Sequence, residues 1–390
     1  MSENNEIKEP LNKNFREPKL RFKSFENQWN KSTFGDVVNL SKKKYNPLKS
    51  NESLIDLEMD SVESKTGRLL VKYNSLSFDS IKNSFTENDV LYGKLRPYLR
   101  KYYMPKFNGV CSSEFWVLNS TYLVQNFLYY YISSDSFNFE TNKTCGTKMP
   151  RAEWSQIIKL EFYYPEIDEQ RIIGTFLQLF DRKIDILSNK IETLKKYKEG
   201  VFLDTRKCSK KIALKNILSE VNIKTKYNNQ YEILSSTAIG LFSQKEYFKH
   251  QVASENNVGY KVIKKGQLLF SPQNLWLGNI NLNNDFEIGM VSPSYKIYDI
   301  DNSINSSWLI SMLKSQNMLY KYKQISEQGA SVVRRNLDLS QFLEITIDIP
   351  DNQIQIGITL ETIDKKINAL SNLFMNLKKL KMHLLNEMFI

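Results

Sequence analysis

The sequence predicts an α+β fold in which two mixed α/β globular domains are joined and separated by two long, antiparallel coiled-coil helices. Two observations support this prediction. An apolar ladder with alternating three- and four-residue spacing occurs twice, and the copies superpose at a constant offset of 183 residues. Each copy follows a long stretch of short apolar and aromatic runs broken by turn residues, which is typical of strands. The chain is therefore predicted to be an internal repeat with pseudo-two-fold symmetry.

Both ladders have the spacing of one apolar face of a coiled-coil helix. They predict a first spacer helix over 167–204 and a second over 352–390. Identical polar residues outside the ladder, such as Ser188-Asn189 and Ser371-Asn372, indicate duplication rather than periodicity alone. The predicted seam positions are Ile173, Leu177, Phe180, Ile184, Leu187, Ile191, Leu194, Ile356, Leu360, Ile363, Ile367, Leu370, Phe374 and Leu377.

Each ladder contains a lysine at the same position, Lys198 in the first and Lys381 in the second. A lysine in a seam costs packing energy but is effective at fixing register. In an antiparallel pairing, Lys381 falls one turn from Asp181 and, by symmetry, Lys198 falls near Asp364. These two Lys–Asp pairs are predicted to fix the register; the alternative is that both lysines extend to solvent.

The rest of the chain divides at the two helices. The predicted segments are a flexible, charged arm over 1–17, a first domain over 18–166 and a second domain over 205–351. A short helix is expected late in each domain, over 123–132 in the first and 308–319 in the second.

Composition limits the function. No apolar run approaches the length that spans a bilayer, and the polar N-terminus is unlike a signal peptide, so a cytoplasmic protein without a membrane partner is expected. Three scattered cysteines provide no disulfide framework or zinc site. The net charge of +11 predicts a polyanionic partner, most simply nucleic acid. An AT-rich genome that favours lysine codons is the alternative explanation of this charge.

The first domain contains a segment, 92–103, that interleaves cations with aromatic residues. Arginine can read guanine edges, lysine neutralises phosphate and tyrosine contacts backbone or bases. The alternative is a solvated basic loop whose tyrosines pack internally. The predicted DNA-binding residues here are Lys94, Arg96, Tyr98, Arg100 and Lys101, joined by Lys148 and Arg151 from a later loop.

The corresponding segment of the second domain is rich in amides instead of cations. Glutamine and asparagine are the natural bidentate readers of adenine, although an asparagine in such a segment also favours turns. Two unlike segments on matched helices predict two different half-sites. The predicted residues are Ser271, Gln273, Asn274 and Trp276, with charge from Arg334 and Arg335.

The sequence contains no convincing catalytic motif. A glycine-rich phosphate loop and the Asn/Asp-Pro-Pro-aromatic motif of amino-methyltransferases are both missing. His250 and His383 have no ligand spacing, and Glu58 and Asp60 lack the lysine context of a nuclease and are expected to be solvated. A non-catalytic chain is therefore expected.

Several segments together carry a family resemblance that spans nearly the whole chain: 18–22 followed by Trp29, 91–99, 109–115, 169–174 after Pro165, and 179–181. With them, the sequence resembles the specificity subunit of a type I restriction-modification system. The second half departs from the pattern, because Asn352-Gln353-Ile354 replaces the usual Glu-Gln-Arg and no counterpart of 94–98 is present.

The resemblance implies two target-recognition domains that each read one part of a split, asymmetric site in double-stranded DNA. It implies that the paired helices act as a ruler for the spacer and dock two methyltransferase subunits, which two ATP-dependent restriction/translocase subunits can join. S-adenosylmethionine and ATP with Mg²⁺ would belong to those partners, so no cofactor is expected in this chain. Rival interpretations are a stand-alone nucleic-acid-binding protein, a protein scaffold, and an enzyme with an unrecognised site.

Overall fold

The computed structural model describes residues 17–50, 52–143, 148–203, 208–247, 256–329 and 334–390. The chain forms two compact units. Unit 1 holds the described residues up to Ser188 together with Asn372–Ile390, and unit 2 holds those of Asn189–Ser371. Nearly all of the predicted arm, 1–17, lies outside the described residues.

Unit 1 contains short strands and helices followed by a long helix, α5, of which the residues up to Ser188 belong to this unit. A four-stranded antiparallel sheet has the order β2-β10-β7-β8, a five-stranded sheet has the order β3-β6-β9-β4-β5, and β1 pairs with β11. The elements are β1 Asn30–Thr33, α1 Phe34–Val37, β2 Asn39–Leu40, β3 Lys44–Tyr45, β4 Ile55–Leu57, β5 Tyr73–Asn74, β6 Lys82–Phe85, β7 Val90–Gly93, β8 Tyr102–Tyr103, β9 Gly109–Cys111, β10 Phe115–Asn119, α2 Gln125–Ser133, α3 Asp135–Thr141, α4 Trp154–Ile157, β11 Glu161–Tyr164 and α5 Ile167–Leu203.

The central strands β7 and β10 are buried on both faces. Side chains of a strand alternate between its faces, so one strand can supply two cores. Val90 and Trp116 pack into the aromatic core beneath α2, whereas Leu91 and Val117 pack into the core shared with the five-stranded sheet. Such strands read as continuous apolar runs, which is why the sequence around them is rich in β-branched and aromatic residues.

Unit 2 repeats the order of the four-stranded sheet as β13-β20-β17-β18, and β12 pairs with β23 as β1 pairs with β11. Smaller pairs are β14–β15, β16–β19 and β21–β22. The elements are β12 Cys208–Ala213, β13 Leu218–Val221, β14 Leu234–Ser236, β15 Leu241–Ser243, α6 Gln244–Tyr247, β16 Lys261–Lys264, β17 Leu268–Phe270, β18 Ile280–Leu282, β19 Ile288–Val291, β20 Lys296–Ile300, α7 Ser306–Leu313, α8 Gln316–Gln324, β21 Ser326–Gln328, β22 Arg335–Leu337, α9 Leu339–Glu344, β23 Thr346–Pro350 and α10 Gln353–Met388.

The single helix expected over 308–319 is wrong, because two helices, α7 and α8, meet at Ser315. The Ser315 side chain accepts from the backbone N–H of Met318 and so caps α8, a role for which serine is favoured. Unit 1 has the same break, with Ser134 capping α3. The expected helix over 123–132 agrees with α2 to within two residues.

The long helices follow their predicted bounds to within two residues. All fourteen predicted seam positions are buried or half-buried. In unit 1, Ile173 of α5 shares a core with Leu385 of α10, so the first turns of one helix pack near the last turns of the other. In unit 2, Val201 packs against the core that contains Leu360. Within the described residues, no helix is long and apolar enough to cross a membrane.

Candidate nucleic-acid interface

The loop between β7 and β8 in unit 1, residues 94–101, has an unusual backbone. Arg96 and Arg100 both have φ of 50° and flank a 3-10 turn at Pro97–Leu99. The left-handed region costs a residue with a side chain roughly 1–2 kcal/mol. The surrounding hydrogen bonds must therefore determine the shape of this loop.

A second segment, 148–152, lies beside this loop. The backbone N–H of Arg96 donates to the carbonyl of Pro150 at 2.8 Å, and the N–H of Ala152 donates to the carbonyl of Lys94 at 2.9 Å. Leu95 and Arg151 form an isolated antiparallel bridge. The fold thus brings together the two basic points that the sequence predicted separately.

The cations of this site differ in their availability. Arg96, Tyr98 and Lys148 are exposed and Lys94 is half-buried. Arg151 is exposed, but its guanidinium pairs with Glu114 at 2.9 Å. These exposed side chains form a basic surface on unit 1, which we call the 94–101 face; it consists of Arg96, Tyr98, Lys148 and Arg151.

Two predicted DNA-binding residues have partners inside the protein. The Arg100 side chain is only 13% exposed, and its guanidinium donates to Asp135 Oδ1 at 2.5 Å and to the carbonyl of Ser133 at 2.7 Å. Lys101 Nζ donates to the carbonyl of Met59, and burial lowers the pKa of Lys101 below its usual range. In this structure both side chains hold the loop in place.

The sequence allows two roles for the tyrosines of 92–103, contact with DNA and packing inside the protein, and the structure divides them between the two. Tyr98 is exposed, whereas Tyr92 and Tyr102 are buried. Tyr92 bonds to the hydroxyl of Thr141 at 2.7 Å, and burial raises the pKa of Tyr92 to about 12. The internal packing considered as an alternative therefore applies to these two residues.

The sequence predicts that Glu58 and Asp60 are both solvated; this is wrong for Glu58, which is half-buried against Lys82, whereas Asp60 is exposed. Lys82 is buried between Asp56 and Glu58; its Nζ lies 3.0 Å from Asp56 Oδ2, as an ion pair without favourable hydrogen-bond geometry. Desolvation raises the pKa of Asp56, while Lys82 opposes that shift. Asp60 accepts from the Tyr73 hydroxyl at 2.8 Å. Across the described residues, no cluster of histidine, cysteine, aspartate or glutamate is arranged to hold a metal ion.

The equivalent loop of unit 2 lies between β17 and β18. Gln273 is exposed, and its carbonyl accepts from the N–H of Arg335 at 3.1 Å, which again connects an early loop to a later one. Arg334 is exposed too. Residues 330–333 of the later loop lie outside the described residues.

The other residues predicted in unit 2 are partly enclosed. Ser271 is buried, and the Oδ1 atom of Asn274 is buried and has no hydrogen-bond partner among the described residues. Trp276 packs against the core and lies 5.9 Å from the Arg335 guanidinium. Arg335 also donates to Ser326 Oγ at 2.9 Å. Gln273 and Arg334 are therefore the predicted side chains that an external partner can reach.

Both Lys–Asp pairs predicted from the ladders are present. In unit 1, Lys381 Nζ lies 2.5 Å from Asp181 Oδ1, and the Tyr130 hydroxyl donates to Asp181 Oδ2 at 2.7 Å. In unit 2, Lys198 Nζ lies 2.6 and 2.7 Å from the carboxylate oxygens of Asp364. The alternative that both lysines extend to solvent without a partner therefore does not apply.

Lys314, which sequence reasoning missed, lies near the second pair. Its Nζ donates to Asn281 Oδ1 at 2.7 Å. Burial and, to a smaller extent, the positive charge of Lys198 lower the pKa of Lys314 to about 8, whereas Asp364 opposes the shift. Nothing in the sequence pattern marks this position, because the enclosure comes from the fold of unit 2.

We expect the unit 1 pair to be the stronger of the two. A double-mutant cycle with Lys381→Met and Asp181→Asn should give a coupling of about 1–2 kcal/mol in urea unfolding, since neither group is more than a third exposed. The Lys198–Asp364 pair should couple by less than about 1 kcal/mol because Asp364 is 46% exposed.

The exposed Lys196–Glu192 pair on α5 provides the matched control and should couple least. A coupling between Lys381 and Asp181 no larger than in this control would remove the register role.

Comparisons with known proteins agree with this architecture. Residues 26–196 match the family described as the type I restriction modification DNA specificity domain. The specificity subunit of the EcoDI type I restriction enzyme of Escherichia coli is 28% identical over 173 residues, which is 43% of this chain and 38% of that relative. The fold is similar to the crystal structure of the type I restriction-modification system S subunit from M. genitalium, with a TM-score of 0.62 over 96% of this chain and 99% of the other, at 18% identity. Through residues 26–196 the chain is therefore similar to the type I restriction modification DNA specificity domain, and it spans well under two thirds of the length of its Escherichia coli relative.

Proposed function

We propose that the chain is the sequence-specific DNA-binding subunit of a type I restriction-modification complex. Each unit would read one part of a bipartite, asymmetric site. One observation carries the proposal: the two units share a sheet order but present chemically different loops at the same place. The loop of unit 1 offers Arg96, suited to guanine or phosphate, and that of unit 2 offers Gln273, suited to adenine.

The two long helices would set the spacing between the half-sites. Asp181 and Lys198 are seventeen positions apart on α5, and Asp364 and Lys381 are seventeen apart on α10. Both ion pairs therefore fit one antiparallel register, as a ruler built from two matched helices requires. The approximate two-fold symmetry of such a pair suits the docking of two methyltransferase subunits, through which two restriction/translocase subunits would join.

In this proposal the chain is not itself an enzyme. S-adenosylmethionine, ATP and Mg²⁺ would be bound by the partner subunits. The basic loop would supply affinity and the base-reading side chains would supply selectivity, as is general for DNA-binding proteins.

Mapping modified adenines in the DNA of cells that carry this chain and its partner subunits tests the proposal. The expected result is one bipartite motif with a fixed spacer, lost when this chain is deleted. Gln273→Ala should relax one half of that motif and leave the other half intact. Methylation or cleavage by the purified chain alone, or a motif that survives deletion of this chain, would contradict the proposal.

A further inference from the structure

Backbone strain in unit 1 marks a loop, residues 63–68, for which the sequence pattern predicted no DNA contact. Among the described residues, the non-glycine positions with positive φ are Lys65, Arg96, Arg100 and Asn229. Asparagine tolerates this region well, but lysine and arginine have no such preference. Strained residues persist only where the surrounding structure enforces them, and they cluster at functional sites.

The three strained cations belong to two connected loops. The backbone N–H of Lys65 donates to the carbonyl of Arg100 at 2.9 Å. The Tyr102 hydroxyl, just beyond the same loop, donates to the carbonyl of Lys65 at 2.9 Å. The segment 63–68 is thus joined directly to the 94–101 face.

Packing and hydrogen bonds restrain this segment. Gly67 has φ of 68°, and a Cβ there would lie 2.1 Å from the Tyr129 hydroxyl, so a side chain at this position would be strained and would displace Tyr129. The N–H of Glu63 donates to the carbonyl of Arg68 at 2.9 Å and closes the turn. Thr66 donates to the Glu63 carboxylate at 2.7 Å, so the acid of the loop already has a partner.

We propose that the 63–68 loop is a second DNA-backbone contact of unit 1, in which Lys65 and Arg68 bind duplex phosphates beside the 94–101 face. Both side chains are exposed, and within the described residues neither has an ion-pair partner. A fixed backbone with free cations suits phosphate binding, because little conformational entropy is lost when the contact forms. Duplex DNA is the occupant to which this proposal commits, and the proposal rests on the function proposed above.

The salt dependence of binding to a labelled, mixed-sequence DNA duplex tests this inference with the full chain. Lys65→Asn removes the charge and keeps a residue that tolerates positive φ. The slope of log K against log salt is negative, and each lost phosphate contact should reduce its magnitude by about 0.9. The ratio of wild-type to variant affinity should therefore rise roughly eightfold for each tenfold dilution of salt. Arg68→Gln should have the same effect.

Lys159→Asn is the matched control. Lys159 is an exposed lysine on the turn before β11, and its backbone N–H bonds to Gln156 instead of to either loop. The Lys159→Asn substitution changes the net charge by the same amount as Lys65→Asn, and the salt slope of this variant should remain near that of the wild type. Lys65→Arg should restore the wild-type slope, and melting temperatures should show that all variants fold.

The outcomes separate the two proposals. Suppose that Arg96→Gln reduces the magnitude of the salt slope but Lys65→Asn has the same slope as Lys159→Asn. This result would overturn the role of the 63–68 loop and leave the proposed function standing. A wild-type chain without salt-dependent affinity for duplex DNA would instead count against the proposed function.

Discussion

Arg96→Gln is expected to weaken DNA binding and leave the fold intact. Arg96 is exposed at the tip of the 94–101 face, and its backbone, not its side chain, bonds to Pro150. If Arg96 contacts a phosphate, its loss should reduce the magnitude of the salt slope by about 0.9. If it contacts a guanine, its loss should cost about 1–3 kcal/mol of discrimination at one base pair. Fluorescence anisotropy over a range of salt concentrations measures the first effect, and binding to a set of single-base variants of the mapped site measures the second.

Arg100→Gln should behave in the opposite way. Its guanidinium is enclosed and bonds to Asp135 and to the carbonyl of Ser133. Hydrogen bonds of charged groups stabilise a fold by about 1.5–3 kcal/mol, so this variant should lower the free energy of unfolding by an amount of that order. Any loss of DNA affinity should come with the loss of stability.

The two arginines therefore serve as controls for each other, since both substitutions remove one positive charge from the same loop. Equal effects on the salt slope with no difference in stability would mean that the Arg100 side chain is not held by Asp135 and Ser133. An unchanged salt slope for Arg96→Gln would remove the 94–101 face from the proposed interface.

The helices could be predicted from sequence because their pattern is local. A ladder with three- and four-residue spacing determines which side chains face inward, and a count of positions shows which carboxylate of the facing helix a lysine inside the ladder can reach. The contacts of Lys198 with Asp364 and of Lys381 with Asp181 follow from a count of positions along two helices.

The basic loop could be located from sequence, but the roles of its members could not. Arg96 and Arg100 are equivalent in the pattern, and only the position of Asp135 in the fold separates an exposed cation from an enclosed one. Lys65 is more than thirty positions from Arg100, and a tertiary hydrogen bond joins their loops. Spacing along the chain carries no information about such contacts, which is why Lys65 and Lys82 were missed.

Inserting one heptad into each long helix is expected to abolish activity at the original DNA site. The insertion adds roughly 10.5 Å to each helix. It keeps the apolar seam aligned, because seven residues are close to two helical turns. Placed between Ser188 and Asn189 and between Ser371 and Asn372, it lies between the two ion pairs and changes neither of them.

The same length of B-form DNA contains about three base pairs, which turn the duplex by roughly 100° because one turn holds about 10–10.5 base pairs. A longer ruler would therefore meet a half-site at the right distance but on the wrong face of the duplex. We expect lost methylation of the original site and, in a library of spacers, either no selected site or one whose spacer is lengthened. Replacing a heptad in each helix with the inserted sequence, which keeps the length constant, should retain the original spacer. An unchanged site after insertion in both helices would exclude a role of the helices in setting the spacer. Helices that set the distance between the half-sites cannot be lengthened without a change in the recognised site.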